Sequence, residues 1–211
     1  MDSESGFFYN PNIYFINRQG GMKKDPIKIE YITSNAQKFE EARHILSSWE
    51  IEQVNIELME IQGNRFEIVT AKAKEALRIL NRPLIVEDVS MCCPAIGGLP
   101  GPYVKDFLKA IGDHGLAELI HKYEDHSVEV FCVAGYVKPG IEPILFEGIV
   151  TGTIVKPRGL TKHGTYSWNG IVQPHNSSKT YGEMTLVEHS HCSMRFIALN
   201  KLKHFLESEK G

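Results

Sequence analysis

Several features that mark other classes of protein are missing from this sequence. No apolar run approaches the roughly 20 residues that a membrane-spanning helix requires, so we expect no membrane partner. The 23 lysines and arginines are balanced by 26 aspartates and glutamates, and the net charge of -3 leaves no basic footprint for nucleic acid. Four cysteines are few for 211 residues, which favours a reducing, cytoplasmic location over a disulfide-stabilised secreted one.

The N-terminal residues differ in composition from the rest of the chain. Aromatic residues are scattered there among Asn, Gly and Pro, without the basic start and continuous apolar core of a secretory signal. We interpret residues 1–27 as an N-terminal extension without a defined role. With 42% apolar residues the chain can form a substantial core, and we expect residues 28–211 to form one domain.

The first half of this domain alternates between two kinds of periodic pattern. Strands are predicted at residues 27–33, 54–58 and 83–87 from short apolar or alternating runs. Helices are predicted between them, at residues 36–49 and 66–80, where apolar side chains recur at helical spacing. Strands that alternate with helices indicate an α/β fold.

The second half is richer in β-branched residues. Two long strands are predicted at residues 128–137 and 143–155, joined as a hairpin, with a helix before them at 112–125 and a closing helix at 193–207. Residues 157–183 are rich in Gly, Pro, Ser and Asn, a composition typical of functional loops. We therefore expect one α/β domain in two lobes, with an active-site cleft between the lobes.

The first strand-to-helix junction, "TSNAQK", is a candidate anion site. A helix N-terminus offers free N–H groups and a positive dipole end, so Thr33, Ser34 and Asn35 are suited to bind an anion there. Lys38, one turn into the helix, adds a full positive charge. The alternative is that Ser34 or Asn35 simply caps the helix, as such residues commonly do.

Carboxylates follow the next two predicted strands. Glu60 lies just past the second, and Glu87 and Asp88 are expected to end the third. Because the carboxyl ends of strands meet at one edge of an α/β sheet, we expect these side chains to lie together. Converging carboxylates are costly without a cation, and such oxygen ligands suit Mg²⁺, which commonly also binds substrate phosphates.

Two lysines have a position that suits phosphate binding. Lys72 lies inside the second helix, where a solvated charge is the default interpretation. Lys105 follows the flexible segment "GGLPGPY", in which glycines allow the backbone to approach a ligand closely. Together with Lys38 and a divalent cation, these lysines would balance the charge of a triphosphate.

Ordered motifs cover nearly the whole chain from about residue 28: "YITSNAQKFEEARHIL", "MEIQG", "VEDVSMCCPAIGGLPGPYVKDFL", and "KPRG" followed by "QP" and "TYGEM". In this order they resemble the inosine/xanthosine triphosphate pyrophosphatases. The resemblance implies hydrolysis of deaminated purine nucleoside triphosphates (ITP, dITP, XTP) to the monophosphate and pyrophosphate. It also implies Mg²⁺ as cofactor, with Mn²⁺ as an alternative cation, a homodimer, and a central mixed, elongated and twisted sheet flanked by helices.

The same resemblance assigns roles to residues. It implies a triphosphate-binding turn, metal-binding acids, phosphate-contacting lysines and an acid that activates water. The triphosphate-binding turn corresponds to Thr33, Asn35 and Lys38, and the metal-binding acids to Glu60 and Asp88. The phosphate-contacting lysines are Lys72 and Lys105, and the acid that activates water is Asp88, with Glu87 beside it. We assign catalytic roles to Asp88, Glu87 and Lys72.

The base-binding segment departs from the pattern of the family. The family usually has Phe-Gly-Trp-Asp-Pro where this chain has "YSWNG", and Ser-His-Arg where this chain has "SMR". An altered base specificity, or a nucleotide-binding protein with reduced turnover, therefore stays open as an alternative. The residues assigned to base binding are Tyr166, Trp168, Asn169, His189, Ser193, Met194 and Arg195.

A zinc site is a further alternative, because His189, His191 and Cys192 are close in sequence and a distant cysteine could join them. Their spacing fits no common zinc finger. We interpret His191 and Cys192 as surface and packing residues.

Overall fold

The structure, a computed structural model, describes residues 28–159 and 167–209. Within these ranges it contains seven strands and five α-helices. The strands are β1 (Lys28–Ile32), β2 (Glu50–Val54), β3 (Leu84–Cys92), β4 (Pro100–Gly101), β5 (Ser127–Val137), β6 (Ile144–Ile154) and β7 (Val172–Pro174). The helices are α1 (Ala36–Ile45), α2 (Arg65–Leu80), α3 (Val104–Ile120), α4 (Leu186–Cys192) and α5 (Met194–Ser208).

All the strands belong to one mixed sheet. Its order is β2-β1-β3-β5-β6-β7, and β4 adds a short pairing to β3. β1 runs parallel to β2 and β3, whereas β3, β5, β6 and β7 pair in antiparallel fashion. The prediction of a single α/β domain with a central mixed sheet flanked by helices is therefore confirmed.

The two faces of the sheet carry separate cores, because successive side chains of a strand point to opposite faces. Ile85 of β3 joins the larger core, which includes buried residues of α1, α3 and α5. Leu84 and Val86, on the other face, join a smaller core with Val69 and Ala73 of α2. We call these the α1/α5 face and the α2 face.

Polar caps set where the helices begin. Asn35 caps α1, and Asn64 and Glu67 form a reciprocal capping box at the start of α2. Ser193 caps α5 by accepting a hydrogen bond from the backbone N–H of Phe196. None of the helices in the described ranges is long and apolar enough to cross a membrane.

Two predicted strands have different bounds in the structure. The second strand is Glu50–Val54 rather than residues 54–58, and its register against β1 pairs Lys28 with Glu50. The third strand does not end at Asp88 but continues to Cys92, because β5 pairs with it along its whole length. Asp88 therefore lies in the middle of a strand.

Two helices also differ from expectation. The helix expected at residues 112–125 is the second half of α3, which begins at Val104 and has a non-helical Gly112 with a φ of 70° inside it. Its first half forms because Val104 and Leu108 pack into the core. The short helix α4 was not predicted, since its capping residue Thr185 follows a loop-like composition.

Candidate active site

The turn between β1 and α1 brings the predicted anion-binding residues together. The side-chain Oδ1 of Asn35 accepts hydrogen bonds from the backbone N–H groups of Gln37 (3.0 Å) and Lys38 (3.2 Å). Thr33 Oγ1 accepts from the N–H of Asn35 at 3.1 Å. Asn35 therefore caps the helix, as the alternative interpretation held, and anion binding by Thr33 and Asn35 stays a prediction.

On the α2 face, Lys72 lies between two carboxylates. Its Nζ is 2.9 Å from Glu60 Oε1 and 2.9 Å from Asp88 Oδ1. α2 supplies the lysine, β3 supplies the aspartate, and the loop before α2 supplies the glutamate. The predicted convergence of Glu60 and Asp88 is thus seen in the structure, with the Lys72 ammonium between them rather than in solvent, and the roles assigned to these residues stay predictions.

The environments of these three groups shift their pKa values differently. Burial raises the pKa of Asp88 above its ordinary value, even though the positive charges of Lys72 and Lys38 act to lower it. The hydrogen bond from Lys72 lowers the pKa of Glu60, whose side chain is 65% exposed. Burial acts to lower the pKa of Lys72, but Asp88 and Glu60 outweigh it and the pKa is raised.

The glycine-rich loop after β3 lies against the loop that carries Glu60. The hydroxyl of Tyr103 accepts a hydrogen bond from the backbone N–H of Gly63 at 3.2 Å. Lys105 is exposed in the first turn of α3, and its charge contributes to lowering the pKa of Glu60. Lys105 therefore lies near enough to Glu60 for its charge to act on that carboxylate.

Glu87 does not lie beside Asp88, and the expectation of a paired carboxylate is corrected here. Consecutive residues of β3 point to opposite faces, so Glu87 points into the α1/α5 face while Asp88 points into the α2 face. Burial alone would raise the pKa of Glu87. The charges of Arg195 and Lys38, with hydrogen bonds from Arg195 and Tyr31, instead hold that pKa well below its usual range.

A buried network surrounds Glu87. Arg195 donates from Nε to Glu87 Oε2 and from Nη2 to Glu87 Oε1, both at 2.8 Å. Arg195 Nη1 donates to Glu41 Oε2 at 2.7 Å, and Ser193 Oγ donates to Glu41 Oε1 at 2.6 Å. Lys38 Nζ is 3.0 Å from Glu87 Oε1. The N-terminal parts of α1 and α5 are thus joined through β3.

Glu41 and Tyr31 are members of this network that the sequence analysis missed. Glu41 lies three residues after Lys38, so it shares a face of α1 with the predicted lysine, and this spacing was a usable signal. Tyr31 lies two residues before the predicted anion-binding turn, but its apolar neighbours in β1 favoured a packing role. Its hydroxyl donates to Glu87 Oε2 at 2.6 Å.

The predicted base-binding residues are partly described. Tyr166 lies outside the described residues. The Trp168 ring lies 5.9 Å from that of Tyr181, which in turn lies 5.0 Å from the ring of His189. The backbone carbonyl of Asn169 accepts from the N–H of Gly182 at 2.7 Å.

Two other members of the predicted base site are enclosed by protein. Met194 is only 4% exposed and belongs to the core of the α1/α5 face. Arg195 is 6% exposed and directs Nε, Nη1 and Nη2 at carboxylates. A role of these residues in base binding stays a prediction.

The zinc alternative does not fit the described part of the chain. In residues 28–159 and 167–209, no group of three or more His, Cys, Asp or Glu side chains could hold a metal ion. His191 packs against Phe196 with ring centroids 5.6 Å apart, and the thiol of Cys192 lies 3.4 Å from the Met184 sulfur. All four cysteines are free thiols.

A surface groove of about 560 Å³ lies elsewhere, between α3 and the segment that contains Lys156 and Pro157. None of the predicted site residues lines it. The convergence of carboxylates and lysines, rather than cavity volume, therefore locates the candidate active site.

The fold and the Glu60–Lys72–Asp88 cluster define a mixed α/β protein. Its acidic and cationic side chains converge near the turn between β1 and α1. The chain belongs to the Ham1 family, whose model matches residues 29–205. This match confirms the family resemblance of the sequence motifs.

Curated relatives and solved structures agree with that membership. The chain is 42% identical over 185 residues to the inosine triphosphate pyrophosphatase of Schizosaccharomyces pombe, covering 87% of this chain and 97% of that relative. It is 40% identical over 184 residues to the inosine triphosphate pyrophosphatase of Giardia intestinalis, covering 86% and 93%. A HAM1 protein from Coxiella burnetii superposes with a TM-score of 0.77 at 21% identity, covering 86% and 99%, which shows a shared fold.

Proposed function

We propose that this chain is a nucleoside triphosphate pyrophosphatase that hydrolyses ITP, dITP and XTP to the monophosphate and pyrophosphate. In this role it would clear deaminated purine nucleotides from the nucleotide pool. The observation that carries the proposal is the convergence of Lys72 with Glu60 and Asp88 in a chain about 40% identical to inosine triphosphate pyrophosphatases. The second supporting feature is the cationic turn at Lys38.

The two carboxylates fit a divalent cation such as Mg²⁺ or Mn²⁺. Glu60 and Asp88 supply hard oxygen donors, and one oxygen of each carboxylate lies 2.9 Å from the Lys72 Nζ. Both carboxylates can therefore contact a single cation. Because Mg²⁺ usually keeps several waters and is bound by one or two carboxylates plus substrate phosphates, two protein ligands suffice. When bound, the cation would offset the charge that develops on the phosphate oxygens.

The assigned residues then have separate roles in the reaction. Lys38, Lys72 and Lys105 bind oxygens of the triphosphate, with Thr33 and Asn35 shaping the turn at which it enters. Asp88 orients the water that attacks the α-phosphorus in line, and pyrophosphate leaves. The raised pKa of Asp88 favours proton acceptance more than that of an ordinary aspartate.

The base is assigned to the segments around Trp168 and Arg195. Tyr166 and Trp168 offer aromatic surface for stacking, and Asn169, His189, Ser193, Met194 and Arg195 complete the assigned set. Asn169 and Met194 replace groups that are usual in the family. We therefore expect ITP and XTP to be preferred over GTP by a smaller margin than is usual in the family.

The remaining assignments concern the whole protein. We propose a homodimer in the cytoplasm, with nucleoside triphosphates rather than nucleic acid or membranes as partners. Residues 28–211 form the catalytic domain and residues 1–27 an extension. The balanced charge supports the absence of a nucleic-acid partner, and the free cysteines support the cytoplasmic location.

The test is a product analysis with purified full-length protein and Mg²⁺. ITP, dITP, XTP, GTP and ATP are incubated separately, and pyrophosphate and orthophosphate are quantified. We expect pyrophosphate and the monophosphate from ITP, dITP and XTP, with ATP the poorest purine substrate. Orthophosphate from the γ-position as the primary product would overturn the proposal.

A further inference from the structure

Glu87 is a buried carboxylate that the reaction as proposed above does not use. Its side chain is 1% exposed, and both oxygens are occupied. Oε2 accepts hydrogen bonds from Tyr31 Oη at 2.6 Å and from Arg195 Nε at 2.8 Å. Oε1 is shared by two cations, Arg195 Nη2 at 2.8 Å and Lys38 Nζ at 3.0 Å.

This environment is unsuited to a metal ligand or a water-activating base. Either role needs a lone pair directed at the metal or the water, whereas the oxygens of Glu87 are directed at protein donors. Glu87 also points into the face opposite Asp88, away from the Glu60–Lys72 cluster. Its place in the structure calls for a different role.

The two cations on Oε1 belong to different ends of the proposed substrate. Lys38 follows the turn assigned to the triphosphate, and Arg195 follows Ser193 in the segment assigned to the base. Lys38 is the partner nearest to solvent, with 30% of its side chain exposed, whereas the side chain of Arg195 is 7% exposed. A single oxygen therefore links a solvent-facing lysine to an enclosed arginine.

We propose that Glu87 is a positioning residue that couples the base end of the active site to the triphosphate end by holding Arg195 and Lys38 on one carboxylate oxygen. The proposal rests on the function proposed above, because it takes the assigned ends of the substrate as given. It replaces the catalytic role that the sequence alone suggested for Glu87.

The coupling follows from the shared acceptor. A base that holds Arg195 in its observed position also holds Glu87, and Glu87 then restrains Lys38 before any phosphate arrives. The phosphate end consequently loses less conformational entropy on binding, which is positive cooperativity without a change of fold. Such coupling is reciprocal and commonly amounts to a factor of about 5 or more in affinity.

The experiment measures this factor with the two halves of the substrate supplied separately. The Kd of inorganic pyrophosphate with Mg²⁺ is determined by titration calorimetry on full-length protein, with and without saturating inosine. For the wild type we expect inosine to tighten pyrophosphate binding by about fivefold or more. Glu87→Gln removes the charge of the side chain but keeps its shape. In this variant we expect inosine to change the Kd of pyrophosphate by less than twofold.

Two further variants keep the test decisive. Glu87→Asp keeps the charge, so it should fold where Glu87→Gln does not, but its shorter side chain cannot reach both cations and should also lose the coupling. Glu30→Gln is the matched control, because Glu30 is equally buried and ion-paired, at 2.7 Å with Arg82, on the neighbouring strand β1. Glu30→Gln should keep the wild-type factor.

A metal titration separates positioning from catalysis. The Mg²⁺ concentration for half-maximal ITP hydrolysis should be unchanged by the Glu87 variants. A rise in that Mg²⁺ concentration would overturn the proposal. It would also be overturned if inosine did not tighten pyrophosphate binding in the wild type, or if inosine still tightened it in the Glu87 variants. Pyrophosphate release from ITP by the same wild-type sample tests the proposed function separately, so the two failures can be distinguished.

Discussion

Glu87 and Asp88 are neighbours in sequence but differ in almost every physical property. Asp88 contacts Lys72 on the α2 face, and burial raises its pKa. Glu87 is enclosed by cationic and hydroxyl donors on the other face, and its pKa lies well below the usual range. A carboxyl group therefore has a raised pKa on one face of β3 and stays ionised to low pH on the other.

The first prediction concerns Asp88. We expect Asp88→Asn to fold normally, because the change is nearly isosteric, and to lose at least about two orders of magnitude in kcat for ITP. Circular dichroism and pyrophosphate release measure the two properties. Asp125→Asn is the control, since Asp125 is an exposed acceptor for the N–H of Ser127 and the asparagine keeps that acceptor. Turnover near the wild-type value in folded Asp88→Asn would contradict the assignment.

The second prediction concerns Glu60 and the cation. Because Glu60 is the exposed member of the carboxylate pair, Glu60→Gln should leave the fold intact and weaken cation binding. We expect the Mg²⁺ concentration for half-maximal activity to rise roughly tenfold or more, the scale seen when groups that support a metal are removed. Glu142→Gln, at a glutamate that is 82% exposed and paired with Lys74, should leave it unchanged. An unchanged Mg²⁺ requirement in Glu60→Gln would rule Glu60 out as a ligand.

Among the elements, α5 depends on a single glycine of β6 for its position. A Cβ added at Gly148 would overlap the backbone carbonyl of Met194 and lie 2.7 Å from the backbone N of Ala198. Since these are backbone atoms, they cannot move aside without displacing the helix. The N-terminus of α5 carries Ser193 and Arg195, so this close approach also fixes the network around Glu87.

We therefore expect Gly148→Ala to destabilise the protein by about 1–3 kcal/mol or more, the range of overpacked cores. Gly140→Ala is the matched control, because nothing lies within 4 Å of its added Cβ and only its φ of 87° opposes the change. Thermal and urea unfolding of both variants give the comparison. Equal destabilisation by the two substitutions would show that α5 can shift away from β6.

Over the whole molecule, the network of Glu87 joins elements that are far apart in the chain. Arg195 and Glu87 are separated by 108 positions, and Arg195 and Glu41 by 154. α1, β1, β3 and α5 thus meet at one buried charge. The stability of the domain should therefore depend on the ionisation of Glu87.

The sign of this dependence follows from the lowered pKa. A glutamate with a depressed pKa in the folded state stabilises the protein above its unfolded-state pKa of about 4.3, and this contribution is lost as the pH falls toward the folded value. The difference in free energy of unfolding between wild type and Glu87→Gln should be constant between about pH 6 and 8 and should shrink below about pH 4.3. Urea unfolding across this range measures it. A difference that grows as the pH falls would contradict the ionised state of Glu87.

Most of the elements could be predicted from periodicity, and the convergence of Glu60 and Asp88 followed from the order of strands and helices, whereas the buried position of Lys72 between them did not. The location of β2 could not, because residues 50–58 are compatible with a strand in more than one place and only the register against β1 selects Glu50–Val54. The length of β3 also depended on a distant partner, β5.

The sequence by itself therefore determined the family, the α/β class and the approach of Glu60 to Asp88, because these depend on ordered motifs and on the order of strands and helices. Only the tertiary structure decided that Glu87 and Asp88 lie on opposite faces, that Met194 lies in the core, and that Glu41 and Tyr31 join the network around Glu87. The physical reason is that the environment of a side chain is set by the phase of its strand and by partners more than 50 positions away.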